Sequence, residues 1–165
     1  GTTSQHYTTT KPRTFLGFGG QSAMGWTVGA AMGAKKAKPE HLVVAVVGEE
    51  AFNETAMDIE TSIRNNAPVL YIIKNNRRKI DESGGKNERL VYARFHTGID
   101  LGAFASALGA KYRRIEKPGD IAAGLKAAIA DVKGGTTTVV DVVTTRMRPS
   151  LYRFWDKNAG TGKGE

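Results

Sequence analysis

The chain has 165 residues, enough for one domain with a sizeable core, and carries a formal net charge of +8, 20 glycines and no cysteine. The lack of cysteine excludes disulfides, cysteine nucleophiles and thiolate metal sites and fits a cytoplasmic protein, while no apolar run reaches membrane-spanning length and no signal-peptide pattern opens the chain. The positive charge predicts attraction of anions such as phosphates or carboxylates, or packing on an acidic partner; the basic residues are scattered and lack a platform of spaced aromatics, which argues against nucleic acid.

Residues 1–14 are polar, Thr-rich and aperiodic, and read as a loop. Gly17-Phe18-Gly19-Gly20 is turn-rich. From Ala23 to Ala37 the small residues Gly25, Gly29, Ala30, Gly33 and Ala34 recur at helical spacing, which predicts a closely packed helix stopped by Pro39. The β-branched run Leu42 to Val47 predicts a buried parallel strand. Beyond the Gly48 turn, Asn53 is expected to cap a helix through about Asn65, with Ala56, Ile59 and Ile63 on its apolar stripe. Val69 to Ile73 is a second buried strand, and the charged stretch 77–90 a loop.

Asp100 is expected to cap a helix to Leu108, stopped by Gly109. Tyr112 to Ile115 is a short strand, Pro118 opens a helix to about Lys133, and Gly134-Gly135 end it. Thr137 to Val143 is a final strand. Alternating strands and helices predict an α/β domain over 1–145, a parallel sheet with helices on both faces, followed by a basic arm over 146–165.

Gly48-Glu49-Glu50 and, twenty-four residues later, Asn75-Asn76 each end a predicted strand. Ligands of open α/β sheets bind outside the C-terminal strand ends. A carboxylate oxygen and an amide oxygen brought together there can hold a hard divalent cation, and the following helix N-terminus favours a phosphate. Strand-end Asn and Glu are equally at home as solvated turn residues.

This spacing resembles the Gly-Asp-Gly, twenty-odd residues, Asn-Asn motif of thiamine diphosphate enzymes. The upstream stretch Gly19-Gly20-Gln21-Ser22-Ala23-Met24-Gly25-Trp26, continuing to Ala30-Ala31-Met32-Gly33-Ala34-Lys35, extends the likeness, as do Pro39-Glu40, Val43 to Gly48, Asn65 and Pro68. About residues 13 to 145 resemble the diphosphate-binding domain of the acetolactate synthase-like branch, with the thiamine diphosphate-binding fold. Thr136 to Trp155 more weakly resembles the sulfoacetaldehyde acetyltransferase group.

The resemblance implies thiamine diphosphate and Mg2+ as cofactors. It implies cofactor contacts from Ser22 (backbone carbonyl to the cofactor's amine), Met24 (a prop for its bent form), Glu50, Ala51 (N–H toward the diphosphate) and Asn76. It implies metal ligation by Glu49, the Asn76 side chain and the Arg78 carbonyl. For Met24, a core position on a Gly/Ala-rich helix is the other reading. Gln5-His6 is similar to a phosphate-proximal Gln-His pair, with an exposed loop histidine as the alternative for His6. The implied reaction is decarboxylation of a 2-oxo acid, acyl carboligation, or both. The activating glutamate belongs to a pyrimidine-binding domain or subunit not contained here. The chain is therefore expected to be the C-terminal piece of a longer or split enzyme, working in a hetero- or homo-oligomer.

Two positions depart from the family pattern. Glu49 stands where the family has Asp, adding a methylene at an octahedral site. Glu50 stands where a Gly lets backbone approach phosphate. A carboxylate about 5 Å from a phosphate charge costs roughly 3 kcal/mol at an effective dielectric of 20. Weakened diphosphate binding, or a structural or regulatory subunit that has lost the cofactor, is therefore expected; a basic anion-binding module is the remaining alternative. Gly17 to Gly25 lacks the strand and spacing of a dinucleotide fingerprint, and Gly160-Thr161-Gly162-Lys163 lacks those of a phosphate loop. His6, His41 and His96 show no metal-ligand spacing.

Overall fold

The computed structural model describes residues 3, 6–17, 19–21, 23–76 and 99–144. The expected loop at 77–90, the arm at 146–165, Gln5, Phe18, Ser22, Arg78 and His96 lie outside the described residues.

Four strands form one sheet: β1 (Val44–Gly48), β2 (Leu70–Asn75), β3 (Lys111–Ile115) and β4 (Thr138–Val143). All pairings are parallel, and the spatial order is β1-β2-β4-β3, so the last strand enters between β2 and β3. The helices are α1 (Trp26–Ala37), α2 (Glu49–Thr55), α3 (Asp58–Arg64), α4 (Leu101–Ala107) and α5 (Ile121–Lys133), the last preceded by a 3-10 turn at Pro118–Asp120. Among the described residues no helix is long and apolar enough to cross a membrane.

Helices cover both faces of the sheet, as the alternating pattern predicts. On one face Val28 and Ala31 of α1, Phe52 of α2, Ile59 of α3 and Leu101 and Ala105 of α4 pack on Ala45, Val47, Tyr71, Ile73 and Val139. On the other, Ala128 and Val132 of α5 pack on Leu70, Val140 and Ile115. That second layer does not reach β1. Val44 and Val46 are 45% and 37% exposed, so β1 is buried on one face only, contrary to the expectation of a fully buried strand.

Local chemistry accounts for the element ends. Asp100 Oδ1 accepts the Ala103 N–H at 2.9 Å, capping α4, and Gly109 at φ 89° turns the chain out of it. The helix expected from Asn53 begins earlier. Gly48 is its N-cap, Glu49 and Glu50 fill its first turn, and Asn53 lies inside α2. Carboxylates are favoured in a first turn by the helix dipole, which gives the acidic pair a local reason to start the helix at once. The chain then breaks at Ala56-Met57 and resumes as α3.

The helix expected from Ala23 starts at Trp26. Gly25 is its N-cap in the left-handed region, φ 77°, and its carbonyl accepts Thr55 Oγ1 at 3.0 Å. A Cβ on Gly25 would lie 2.3 Å from Thr55 Cγ2. This is where α1 approaches α2 closely. The expected Gly/Ala stripe farther along is not a tight seam, since a Cβ on Gly33 would meet nothing within 4 Å.

Candidate functional site

β1 and β2 are neighbours in register, with Gly48 opposite Lys74, so the two halves of the spaced motif meet at the C-terminal edge of the sheet. Gly48 ends β1, and Glu49 follows as the first residue of α2. Asn75 ends β2, and Asn76 follows it. The Asn76 N–H donates to Glu49 Oε2 at 3.4 Å, a long hydrogen bond.

Glu49 is buried, and its other carboxylate oxygen, Oε1, has no hydrogen-bond partner among the described residues. Burial pushes the Glu49 carboxyl above the usual carboxylate range, and the neighbouring Glu50 charge adds to this. The Glu49 and Asn76 N–H groups and Lys74 pull the other way without cancelling it. A buried, unpartnered carboxylate oxygen is costly unless something completes it. A hard cation would do so, since it takes oxygen ligands and favours the ionised carboxylate. Among the described residues no group of three or more His, Asp or Glu side chains forms a metal cage, so a cation here would draw on amide and carbonyl oxygens beside Glu49.

The residues expected around a diphosphate are placed as follows. Glu50 is half-buried in the first turn of α2. Ala51 is the third residue of that helix, where backbone N–H groups have no in-helix acceptor. Above Gly48 an added Cβ would meet nothing within 4 Å, so the strand end is open to approach. Met24 is 48% exposed, which excludes the core reading. It is anchored through its neighbour Gly25, which Thr55 of α2 holds. His6 is exposed. Ser22 and Arg78 lie outside the described residues, so of the three expected metal ligands Glu49 and Asn76 are seen together.

A second polar cluster adjoins this corner and was missed in the sequence reading. Asp141, fully buried in β4, accepts Asn75 Nδ2 at 2.9 Å on Oδ1. Its Oδ2 accepts the Tyr112 hydroxyl at 2.9 Å and Arg114 Nη1 at 3.0 Å. Burial, together with the hydroxyl's bond to Asp141, pushes the Tyr112 phenol up to about 12. The available signal was an acid inside the run Thr138-Val139-Val140-Asp141-Val142-Val143, since a charge within a buried strand must find partners.

Comparison with known proteins identifies the family. Residues 1–142 match the family model described as thiamine pyrophosphate enzyme, C-terminal TPP binding domain. The chain is 32% identical over 142 residues to the mitochondrial acetolactate synthase catalytic subunit of Saccharomyces cerevisiae, covering 84% of this chain and 20% of that protein. It is 33% identical over 132 residues to a probable acetolactate synthase large subunit of Methanococcus aeolicus, covering 76% of this chain and 22% of that one. It is 32% identical over 138 residues to a 2-hydroxyacyl-CoA lyase of Arabidopsis thaliana, covering 79% and 24%. The chain thus spans about a fifth to a quarter of the length of these relatives. With the spaced motif closed across two parallel strand ends and the match running through nearly every described element, the chain belongs to the family of thiamine pyrophosphate enzyme C-terminal TPP-binding domains.

Proposed function

We propose that this chain is the diphosphate- and metal-binding part of a thiamine diphosphate-dependent enzyme acting on 2-oxo acids, by decarboxylation, acyl carboligation or both. The observation that carries the reading is the Glu49 carboxylate: one oxygen on the Asn76 N–H, the other buried and unpartnered at the strand ends. Glu49 and the Asn76 side chain would hold Mg2+, with the Arg78 carbonyl as a further ligand. The open backbone at Gly48, the Ala51 N–H and the positions of Glu50, Ser22 and Met24 would border the cofactor. The cofactor supplies a nucleophilic thiazolium carbon and an electron sink for loss of carbon dioxide. This chain's part is to bind and orient it.

The reading includes a pyrimidine-binding domain or subunit, within a homo- or hetero-oligomer. The edges of the sheet support this. The β3 edge carries Lys111, Arg113 and Arg114, charges that discourage further strand pairing. The β1 edge has the sequence Val44-Ala45-Val46-Val47-Gly48, with no charge and two exposed valines. Such an edge suits completion by another segment.

One observation favours a second reading, a structural or regulatory subunit without cofactor: Glu49 and Glu50 together form a favourable first helical turn. Calorimetric titration of the assembled complex with Mg2+ and thiamine diphosphate separates the two. The first reading expects metal-dependent binding that Glu49→Ala abolishes. Tight binding that survives Glu49→Ala overturns the metal assignment, and no binding at all favours the structural reading.

A further inference from the structure

Asp141 is the one carboxylate among the described residues with no exposed surface, and it lies inside an apolar strand. Its register neighbours are Ile73 of β2 and Arg114 of β3, so it stands between the two strands that β4 separates. Arg114 offsets its charge, and Tyr112 satisfies a second lone pair on the same oxygen. Those two contacts would suffice for a purely structural ion pair. The third contact does something different.

Oδ1 of Asp141 faces Asn75 alone among the described residues, and an acceptor there turns the Asn75 amide so that its NH2 group faces β4. The Asn75 carbonyl is held at the end of the same strand, accepting the N–H of Thr144, the residue directly after β4, at 2.8 Å. Both the side chain and the backbone of Asn75 are thus tied to β4. The next residue, Asn76, offers its N–H to Glu49. At 3.4 Å that contact has little slack, and a shift of a few tenths of an ångström in the end of β2 breaks it.

We propose that Asp141 is a positioning residue for the Glu49–Asn76 corner: through Asn75 it fixes the strand end that presents Asn76 to Glu49. The role rests on the functional reading above insofar as that corner holds a metal. The geometry is that of a carboxylate behind a metal site, which orients the ligand-bearing group without touching the ion.

The test uses the assembled complex, its chain carrying Asp141→Asn, Asn75→Ala, both together, or Asp131→Asn as a matched charge change. Asp131 lies on α5 and pairs with Lys111 and Arg113, apart from this cluster. Asn75→Ala leaves Asp141 paired with Arg114 and Tyr112, so this single variant still reads the link if Asp141→Asn folds poorly. Two quantities are read: hydrogen exchange of the Asn76 amide without metal, and Mn2+ affinity by calorimetry with thiamine diphosphate present. Both single variants are expected to speed Asn76 exchange and to weaken Mn2+ binding on the order of tenfold to a hundredfold. The double variant is expected to be no worse than either single one, because both break the same link. Asp131→Asn should match wild type. Asn76 exchange unchanged in both single variants, or losses that add in the double variant, overturn the proposal. If wild type binds no Mn2+ while Asn76 exchange responds as expected, the positioning role stands and the metal reading fails. If wild type and Asp141→Asn bind Mn2+ equally and Asn76 exchange is unchanged, the metal reading stands and the positioning role fails.

Discussion

Asn75 Nδ2 donates a 2.9 Å hydrogen bond to Asp141 Oδ1, joining the end of β2 to β4 across 66 positions of sequence. With Tyr112 and Arg114 on the other carboxylate oxygen, the cluster spans β2, β4 and β3 on the face covered by α1 to α4. Asp141→Ala strips the acceptor from all three donors. Arg114 is 40% exposed and can turn to water, but Asn75 is buried, so a loss of about 3 kcal/mol is expected in urea unfolding. A loss below about 1 kcal/mol would mean that the three bonds contribute little.

Alkaline titration followed by tyrosine absorbance should show late-ionising phenols. Tyr71 and Tyr112 are both raised to about 12, chiefly by burial. Their folded values lie above the ordinary value of 10, so the stability they contribute is full below pH 10 and is lost as pH rises through about 12. Tyr112→Phe should remove one late phenol from the spectrum. A Tyr112 phenol that titrates at its ordinary value would contradict the buried bond to Asp141.

Gly25 combines a positive φ with a Cβ position 2.3 Å from Thr55 Cγ2. Gly25→Ala is therefore expected to cost at least about 2 kcal/mol, from left-handed strain and the clash together. Thr55→Ser removes the clashing methyl while keeping the hydroxyl. It should restore part of the loss in the double variant, whereas Thr55→Val should not. Thermal melts of the four proteins decide this.

Glu50→Gly removes a half-buried carboxylate from the corner expected to receive the diphosphate. If that charge opposes the ligand, affinity for thiamine diphosphate with Mg2+ should rise up to about a hundredfold, matching a repulsion of about 3 kcal/mol. Calorimetry on the assembled complex measures it. A fall in affinity would mean that Glu50 contributes a contact of its own.

The site was legible in unequal parts. The spacing from Gly48 to Asn76 placed two polar groups at adjacent strand ends, because strand ends follow from local hydrophobic patterning and neighbouring parallel strands align them. The start of α2 was misplaced because Asn53 is a good cap by composition. Two glutamates directly after Gly48 complement the helix dipole and move the cap from Asn53 to Gly48, five residues earlier. Met24 carried two readings on the sequence, and its exposure removed one.

The sequence by itself determined the α/β class, the order of elements, the Asp100 cap, the Gly109 stop and the family motif, all of which depend on patterns within a few turns of chain. Only the tertiary structure decided the strand order β1-β2-β4-β3, the exposure of Val44 and Val46, the unpartnered oxygen of Glu49 and the pairing of Asp141. The physical reason is range. Periodicity and caps are set by neighbours along the chain, whereas a buried charge finds its partners only after a crossover has put β4 between β2 and β3.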